Sequence, residues 1–258
     1  KRSSKIVKEK KYSQIWKEYN HLLLKQKLIL PPDNYSKWIK EVEPYINKLI
    51  NKSFVKEDKL LKFSIQLYEE FKHAPEGSFV IPKAKLDNLS NNAIQVFSSV
   101  IEKNPQGKIF YSDEDCIDKS GKRFNPKFKP AWNRELFWTD PFYGNCWVIS
   151  AELWNKVINK LEKKKIKKTL ENIVFKAIQE INIIDIDKSI KHIPVITYHK
   201  YVDNSIEKLK SNLDESALRL YEHLKENKKT LGNCSAVSVI NKNLGLRIHW
   251  SIPRNTLI

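Results

Sequence analysis

The hydrophobic positions of the chain follow two different patterns, and the change between them falls near Gly77. Before it, apolar residues recur at helical spacing, which predicts amphipathic helices over residues 1–30, from Tyr35 onwards, and over 58–71. After it, short apolar runs alternate with longer amphipathic stretches. This alternation of strand, helix and strand is typical of an α/β layer structure.

The second part of the chain contains most of the predicted elements. The pattern predicts strands over 78–81, 108–111, 142–149, 190–198, 236–240 and 246–250. It predicts helices over 92–103, 151–161, 170–180 and 214–226.

The net charge of the chain limits the classes of partner to be expected. Lys and Arg total 47 against 30 Asp and Glu, a formal net charge of +17. Such an excess favours anionic partners, namely a diphosphate, an acidic membrane surface or nucleic acid. The lysines are spread along the chain, so a lysine-rich composition that covers solvated helix faces explains them equally well. Because the sequence contains no zinc finger or RRM, specific nucleic-acid binding is not expected.

Cysteines and apolar runs indicate the compartment. Cys116, Cys146 and Cys234 have no CxxC spacing, and their odd number argues against a disulfide framework. No apolar run approaches the roughly 20 residues of a membrane span, and no signal-peptide core is present. The sequence predicts a cytoplasmic protein, with peripheral association at the inner face of an acidic membrane as a further expectation. The lack of methionine suggests a piece of a longer reading frame.

An acidic cluster, Asp113-Glu114-Asp115, directly follows the predicted strand over 108–111. Three adjacent carboxylates repel one another unless a cation, a basic partner or solvent offsets them. Open α/β sheets bind ligands beyond the carboxyl ends of their strands. Clustered oxygens there suit Mg²⁺ or Mn²⁺, which in turn hold a diphosphate. When such a cluster is considered alone, a solvated loop is the more frequent explanation. The flanking sequence is therefore needed to choose between a loop and a metal site.

The flanking segments form a longer pattern. Ile109 to Asp118 is followed by Gly121-Lys122-Arg123, and then by Pro126-Lys127-Phe128-Lys129-Pro130-Ala131-Trp132. Tyr143-Gly144 stands ahead of an apolar strand, and His192-Ile193-Pro194 and Tyr198-His199 come later. In this order the segments resemble family 2 glycosyltransferases of the GT-A type, in particular the rhamnosyltransferase-like branch. The resemblance covers roughly residues 77–250.

The resemblance implies an α/β fold, a shortened GT-A (Rossmann-like) mixed sheet flanked by helices. Its domains would be a helical N-terminal extension over 1–76, a GT-A-like core over 77–205, and a C-terminal helix and linker over 206–258. It implies an inverting transferase that moves a sugar from a nucleoside-diphosphate donor to a glycan acceptor in cell-surface polysaccharide synthesis. The sequence specifies neither the donor sugar nor the acceptor.

The resemblance also implies a set of site residues. Asp113, Asp115 and His199 would hold Mg²⁺ or Mn²⁺ or the diphosphate, and Glu171 would be the general base. The residues expected to bind substrate are Glu114, Lys129, Trp132, Tyr143 and Gly144. Three of these residues have a structural alternative. Glu171 fits a helix N-terminus favoured by the helix dipole, His199 fits an ordinary strand end, and Trp132 fits core packing.

Two departures from the family pattern open a second hypothesis. The metal-binding Asp-x-Asp of the family falls at Ala84-Lys85-Leu86. The Lys85 ammonium can neutralise a phosphate, but it cannot bridge two phosphates as a divalent cation does. Too few residues precede Gly77 for the part of the fold that holds the nucleotide base. The alternative is a catalytically silent domain that binds glycan or scaffolds a partner. A nucleic-acid-binding protein is a third hypothesis, motivated by net charge alone.

Overall fold

The computed structural model describes residues 35–51, 61–68, 70–139, 144–182 and 184–203, and parts of 218–250. The helix predicted over 1–30 lies outside these residues. The chain divides into two compact units, one comprising Lys1–Phe128 with Asn145–Val202 and the other Lys129–Gly144 with Asp203–Ile258. The predicted domains over 1–76, 77–205 and 206–258 remain a prediction.

The first unit is built on a mixed sheet of seven strands in the order β1-β2-β6-β4-β7-β3, with β5 paired to β4. The strands are β1 (Phe63–Leu67), β2 (Phe79–Lys83), β3 (Asn88–Leu89), β4 (Ile109–Ile117), β5 (Arg123–Lys127), β6 (Trp147–Ser150) and β7 (Ile190–Tyr201). β1 with β2 and β4 with β7 are parallel, and the other pairs are antiparallel. The fold class is therefore α/β with helices flanking a mixed sheet, which is compatible with a Rossmann-like fold.

Six helices belong to this unit among the described residues: α1 (Tyr35–Glu41), α2 (Glu43–Asn51), α3 (Ala93–Lys103), α5 (Ala151–Lys163), α6 (Leu170–Gln179) and α7 (Ile186–Ser189). α4 (Arg134–Thr139) belongs to the second unit. The helices predicted from Tyr35 and over 92–103, 151–161 and 170–180 are confirmed. α3 shows why: its apolar residues Ala93, Val96, Phe97 and Ile101 recur at helical spacing and are all buried against the sheet.

The helix predicted over 58–71 is wrong in its described part, because Phe63–Leu67 form strand β1. Phe63 and Leu67 are four residues apart, a spacing that fits one face of a helix and one face of a strand equally. Tertiary contacts decide between them. Phe63 packs against Phe79 and Phe97, and β1 pairs with β2 along its whole length. The sheet thus begins within the segment predicted to be a helical extension.

The second unit contains α4 (Arg134–Thr139) and an antiparallel pair of strands, β8 (Cys234–Asn241) and β9 (Gly245–Trp250). α4 packs against β9. The strands predicted over 236–240 and 246–250 are confirmed. The helix predicted over 214–226 is described only in part, and the described residues are helical. No helix in the described part of either unit is both long and apolar enough to cross a bilayer.

An ion cluster joins α5 to the end of α6. Glu180 accepts a hydrogen bond from Lys160 Nζ at 2.5 Å and lies 3.2 Å from Lys156 Nζ. Burial opposes ionisation of Glu180, but the hydrogen bonds and charges of the two lysines outweigh burial, so its pKa lies below the ordinary 4.5.

A lowered pKa makes the contribution of Glu180 to stability dependent on pH. The contribution is fully present above the ordinary pKa and is lost as pH falls through the lowered one. We expect Glu180→Gln to be less stable than the parent at pH 7 by about 1 kcal/mol, because solvent screens the two lysines, 54% and 43% exposed, although the Glu180 side chain is only 8% exposed. The two proteins should converge in urea unfolding as the pH is lowered towards 3. A difference that stays constant between pH 7 and pH 3 would contradict this assignment.

Candidate functional site

The acidic cluster lies inside a strand, which corrects the expected acidic turn. β4 continues to Ile117, beyond the predicted end at Tyr111, and Asp113, Glu114 and Asp115 are each at most 2% exposed. Their contacts fall into two sets, as the alternation of side chains along a strand requires. Asp113 and Asp115 contact histidines of β7, whereas Glu114 contacts the chain entering β6.

Asp115 is the centre of a buried network. Asp115 Oδ2 accepts hydrogen bonds from Arg123 Nε at 2.6 Å and from the Tyr35 hydroxyl at 2.5 Å. Asp115 Oδ1 lies 2.5 Å from His199 Nδ1. Arg123 also forms a bidentate pair with Glu43, both distances being 2.7 Å. Burial lowers the pKa of Arg123, but its hydrogen bonds with Glu43 and the nearby Asp115 charge outweigh burial, so the net shift is upward. Both Asp115 oxygens are engaged by protein groups.

Asp113 makes a similar pair with the other histidine. Its Oδ1 lies 2.8 Å from His192 Nε2. The His192 ring stacks on Tyr111, with ring centroids 4.9 Å apart and planes at 22°. His192 is therefore fixed from two sides, by an aromatic face and by a carboxylate. Burial, together with the Asp113 charge, raises the pKa of the Tyr111 hydroxyl, which stays protonated.

Glu114 holds the chain that leads into β6. One oxygen accepts backbone hydrogen bonds from Asn145 at 2.7 Å and Cys146 at 3.2 Å, and the other accepts one from the Asn145 side chain at 3.2 Å. Lys127 lies 3.8 Å away, more than half exposed. These contacts give Glu114 a structural role, since its carboxylate accepts the backbone N–H groups of the two residues that precede β6.

The segment Ala84-Lys85-Leu86 follows β2 directly. Lys85 and Leu86 are exposed, and Leu86 is 61% exposed. The neighbouring Asp87 is buried and turned inward: its carboxylate accepts hydrogen bonds from the Tyr198 hydroxyl and, at 2.9 Å, from the Tyr201 backbone. This turn presents a lysine to solvent and uses its nearest carboxylate to bind β7.

The remaining predicted site residues belong to different parts of the chain. Glu171 is exposed in the first turn of α6, whose N-cap Thr169 accepts from the Asn172 backbone at 3.2 Å. Lys129, Trp132 and Gly144 belong to the second unit. Lys129 is buried, and Trp132 packs against Phe137. Tyr143 lies outside the described residues.

A small cavity, with room for about one water molecule, touches Asp113 in the first unit. The residues lining it are mostly apolar: Trp38, Glu43, Ile46, Asn47, Asp113, Phe128, Pro194, Val195 and Ile196. Pockets that enclose drug-sized ligands measure about 300 to 1,000 Å³. This cavity therefore does not accommodate a nucleoside-diphosphate sugar.

A divalent cation does not fit the described carboxylates. Hard cations such as Mg²⁺ need several oxygen ligands directed at one point. Asp115 and Glu114 direct their oxygens at protein donors instead. Within the described ranges, no three His, Cys, Asp or Glu side chains are grouped so as to hold a metal ion.

Arg123, Tyr35 and Glu43 are site residues that the sequence hypothesis did not include. Arg123 follows Asp115 by eight residues, across a turn in which Gly121 has a φ of 81°. A glycine between two strand-like runs predicts a hairpin, and a hairpin returns an arginine to the acidic strand. Tyr35 and Glu43 are about 80 residues from their partners in sequence, and no local signal identifies them.

Comparison with known proteins gives little further guidance. No family model matches the chain. A segment of 81 residues, 31% of this chain, is 33% identical to the uncharacterized protein y4gI of Sinorhizobium fredii. The chain spans only 9% of the length of that protein.

Proposed function

We propose that the first unit is a glycosyltransferase-like domain of the GT-A type that is catalytically silent and acts as a glycan-binding or scaffolding module. The sequence resemblance and the mixed α/β sheet support the glycosyltransferase-like part. The engagement of Asp113, Glu114 and Asp115 inside the protein supports the silent part, and it is the observation on which the proposal depends.

The replacement of the metal-binding pair supports the same conclusion. A departing diphosphate carries charge that a transferase must stabilise. Ala84-Lys85-Leu86 supply one ammonium group where the family supplies two carboxylates and a cation. Lys85 is also exposed, so water screens its charge.

An active transferase is the second candidate, and Glu171 favours it. This carboxylate is exposed in the first turn of α6, where a general base has access to an acceptor hydroxyl. In that case Lys85 rather than Mg²⁺ or Mn²⁺ would offset the charge of the diphosphate. The acceptor would be a glycan, and the leaving group a nucleoside diphosphate.

Calorimetry with uridine and thymidine diphospho-sugars, with and without Mn²⁺, separates these candidates. We expect no donor binding at millimolar concentration and no release of nucleoside diphosphate in the presence of glycan acceptors. Release that disappears in Glu171→Gln but persists in Glu152→Gln would instead establish the active transferase. Glu152 is a matched control because it is an exposed glutamate in the first turn of α5.

A further inference from the structure

Five lysines and one isoleucine form the turn between α5 and α6, residues 163–168, here called the lysine turn. Its backbone is ordered by the end of α5. The Lys165 N–H donates to the Glu162 carbonyl at 3.0 Å, and the Ile166 N–H donates to the Leu161 carbonyl at 2.9 Å. This pair of bonds is the Schellman ending of a helix, which places Lys165 in the left-handed region with a φ of 54°. These hydrogen bonds give the lysine turn a defined backbone conformation.

The charge of the lysine turn is largely unneutralised. Lys163, Lys164, Lys165 and Lys167 are exposed, and none forms an ion pair with a described residue. Lys168 is paired with Glu162 at 3.1 Å and donates to the Phe71 carbonyl at 2.9 Å. Four positive charges therefore face solvent within five residues. The neighbouring carboxylate of Glu162 is already paired with Lys168 and does not neutralise them.

Ile166 distinguishes this surface from a purely electrostatic one. In a Schellman ending the residue at this position usually packs against the residue that accepts its hydrogen bond, here Leu161. Leu161 is buried, but Ile166 stays 40% exposed among the lysines. A partner made only of charge, such as a nucleic-acid backbone, gains nothing from an apolar side chain at this position. An anionic bilayer surface takes both the charge and the apolar group.

We propose that the lysine turn docks the protein on a bilayer surface rich in anionic phospholipid, with Ile166 entering the headgroup region. The first turn of α6, in which Glu171 is exposed, follows the lysine turn directly, so docking brings Glu171 close to the bilayer. The inference rests on charge, exposure and the fixed turn, and it is independent of the proposed glycosyltransferase-like function.

Co-sedimentation with phosphatidylcholine vesicles, with and without phosphatidylglycerol, tests the proposal. Replacing Lys163, Lys164 and Lys167 by Ser and Lys165 by Gly is expected to weaken partitioning onto anionic vesicles at least about tenfold. A control protein with Lys48, Lys108, Lys119 and Lys188 replaced by Ser has the same net charge, and its partitioning should change about twofold at most. All four control lysines are exposed. Equal losses in the two proteins would overturn the proposal.

Ile166→Ser provides the second arm, because it changes no charge. We expect it to weaken binding to anionic vesicles several-fold and to leave binding to a random DNA duplex unchanged. The membrane proposal fails if two results occur together: Ile166→Ser binds vesicles as the parent does, and the variant with four lysines of the turn replaced loses DNA binding. The lysine turn would then be a nucleic-acid-binding surface. The proposal also fails if the parent does not bind anionic vesicles at all.

Discussion

Replacing Arg123 by methionine is expected to lower the free energy of unfolding by about 3 to 5 kcal/mol, the usual result of removing one partner from a buried ionic pair. The guanidinium is the cation between Asp115, whose side chain is fully buried, and Glu43. Without it, two carboxylates and the Tyr35 hydroxyl are left together in a site with little solvent. Urea-induced unfolding followed by fluorescence measures the effect.

Lys127→Met is the matched control for Arg123→Met. Lys127 is a cation on the same strand, but it is 55% exposed and 3.8 Å from Glu114, so its loss should cost less than about 1 kcal/mol. Adding Asp115→Asn to Arg123→Met should restore part of the stability, since it removes one of the orphaned charges. If Arg123→Met were as mild as Lys127→Met, the network around Asp115 would not stabilise the fold.

Replacing Glu114 by alanine is expected to cost about 2 to 5 kcal/mol, since two backbone donors lose their acceptor at about 1 to 3 kcal/mol each. These donors are the N–H groups of Asn145 and Cys146. Glu114→Gln retains an acceptor oxygen and should cost less. Hydrogen exchange offers a local measurement, in which the Cys146 amide should exchange faster in the alanine variant.

Glu76→Ala serves as the control for Glu114→Ala, because Glu76 is an exposed glutamate in the turn before β2. Its removal should change stability by less than about 0.5 kcal/mol. The two functions considered for Glu114 make opposite predictions. A glutamate that binds substrate would leave the alanine variant as stable as the parent, with unchanged exchange at Cys146. If Glu114 has a structural role, the alanine variant is less stable than the parent and its Cys146 amide exchanges faster.

Elements with one dominant face could be predicted from the sequence. α3 and α5 repeat their apolar residues every three or four positions, and both lie where the pattern predicts them. β1 was missed although Phe63, Ile65 and Leu67 alternate with polar residues, because Leu60, Leu61 and Phe71 extend the apolar positions to a helical spacing. The predicted end of β4, at Tyr111, was also wrong, because contacts distant in sequence decided where the strand ends. A run of charged residues indicates a solvated loop, unless distant partners bury and neutralise it.

Those partners also explain why the site was predicted only in part. The acidic residues were identified, but their roles depend on which donors reach them. His199 lies directly opposite Asp115 in the pairing of β4 with β7, a register that hydrophobic pattern does not fix at polar positions. Tyr35 reaches the same carboxylate from a helix 80 residues earlier. Long-range contacts of this kind leave no trace in local sequence spacing.

The link from Tyr35 and Glu43 to Arg123 limits how the chain can be shortened. α1 and α2 precede the sheet and resemble a detachable arm, but a protein cut between α2 and β1 would lose both side chains at once. Arg123 would then keep only Asp115, and the apolar surface of Ile196 covered by Trp38 would face water. We therefore expect a protein that lacks α1 and α2 to be less stable than one that retains them.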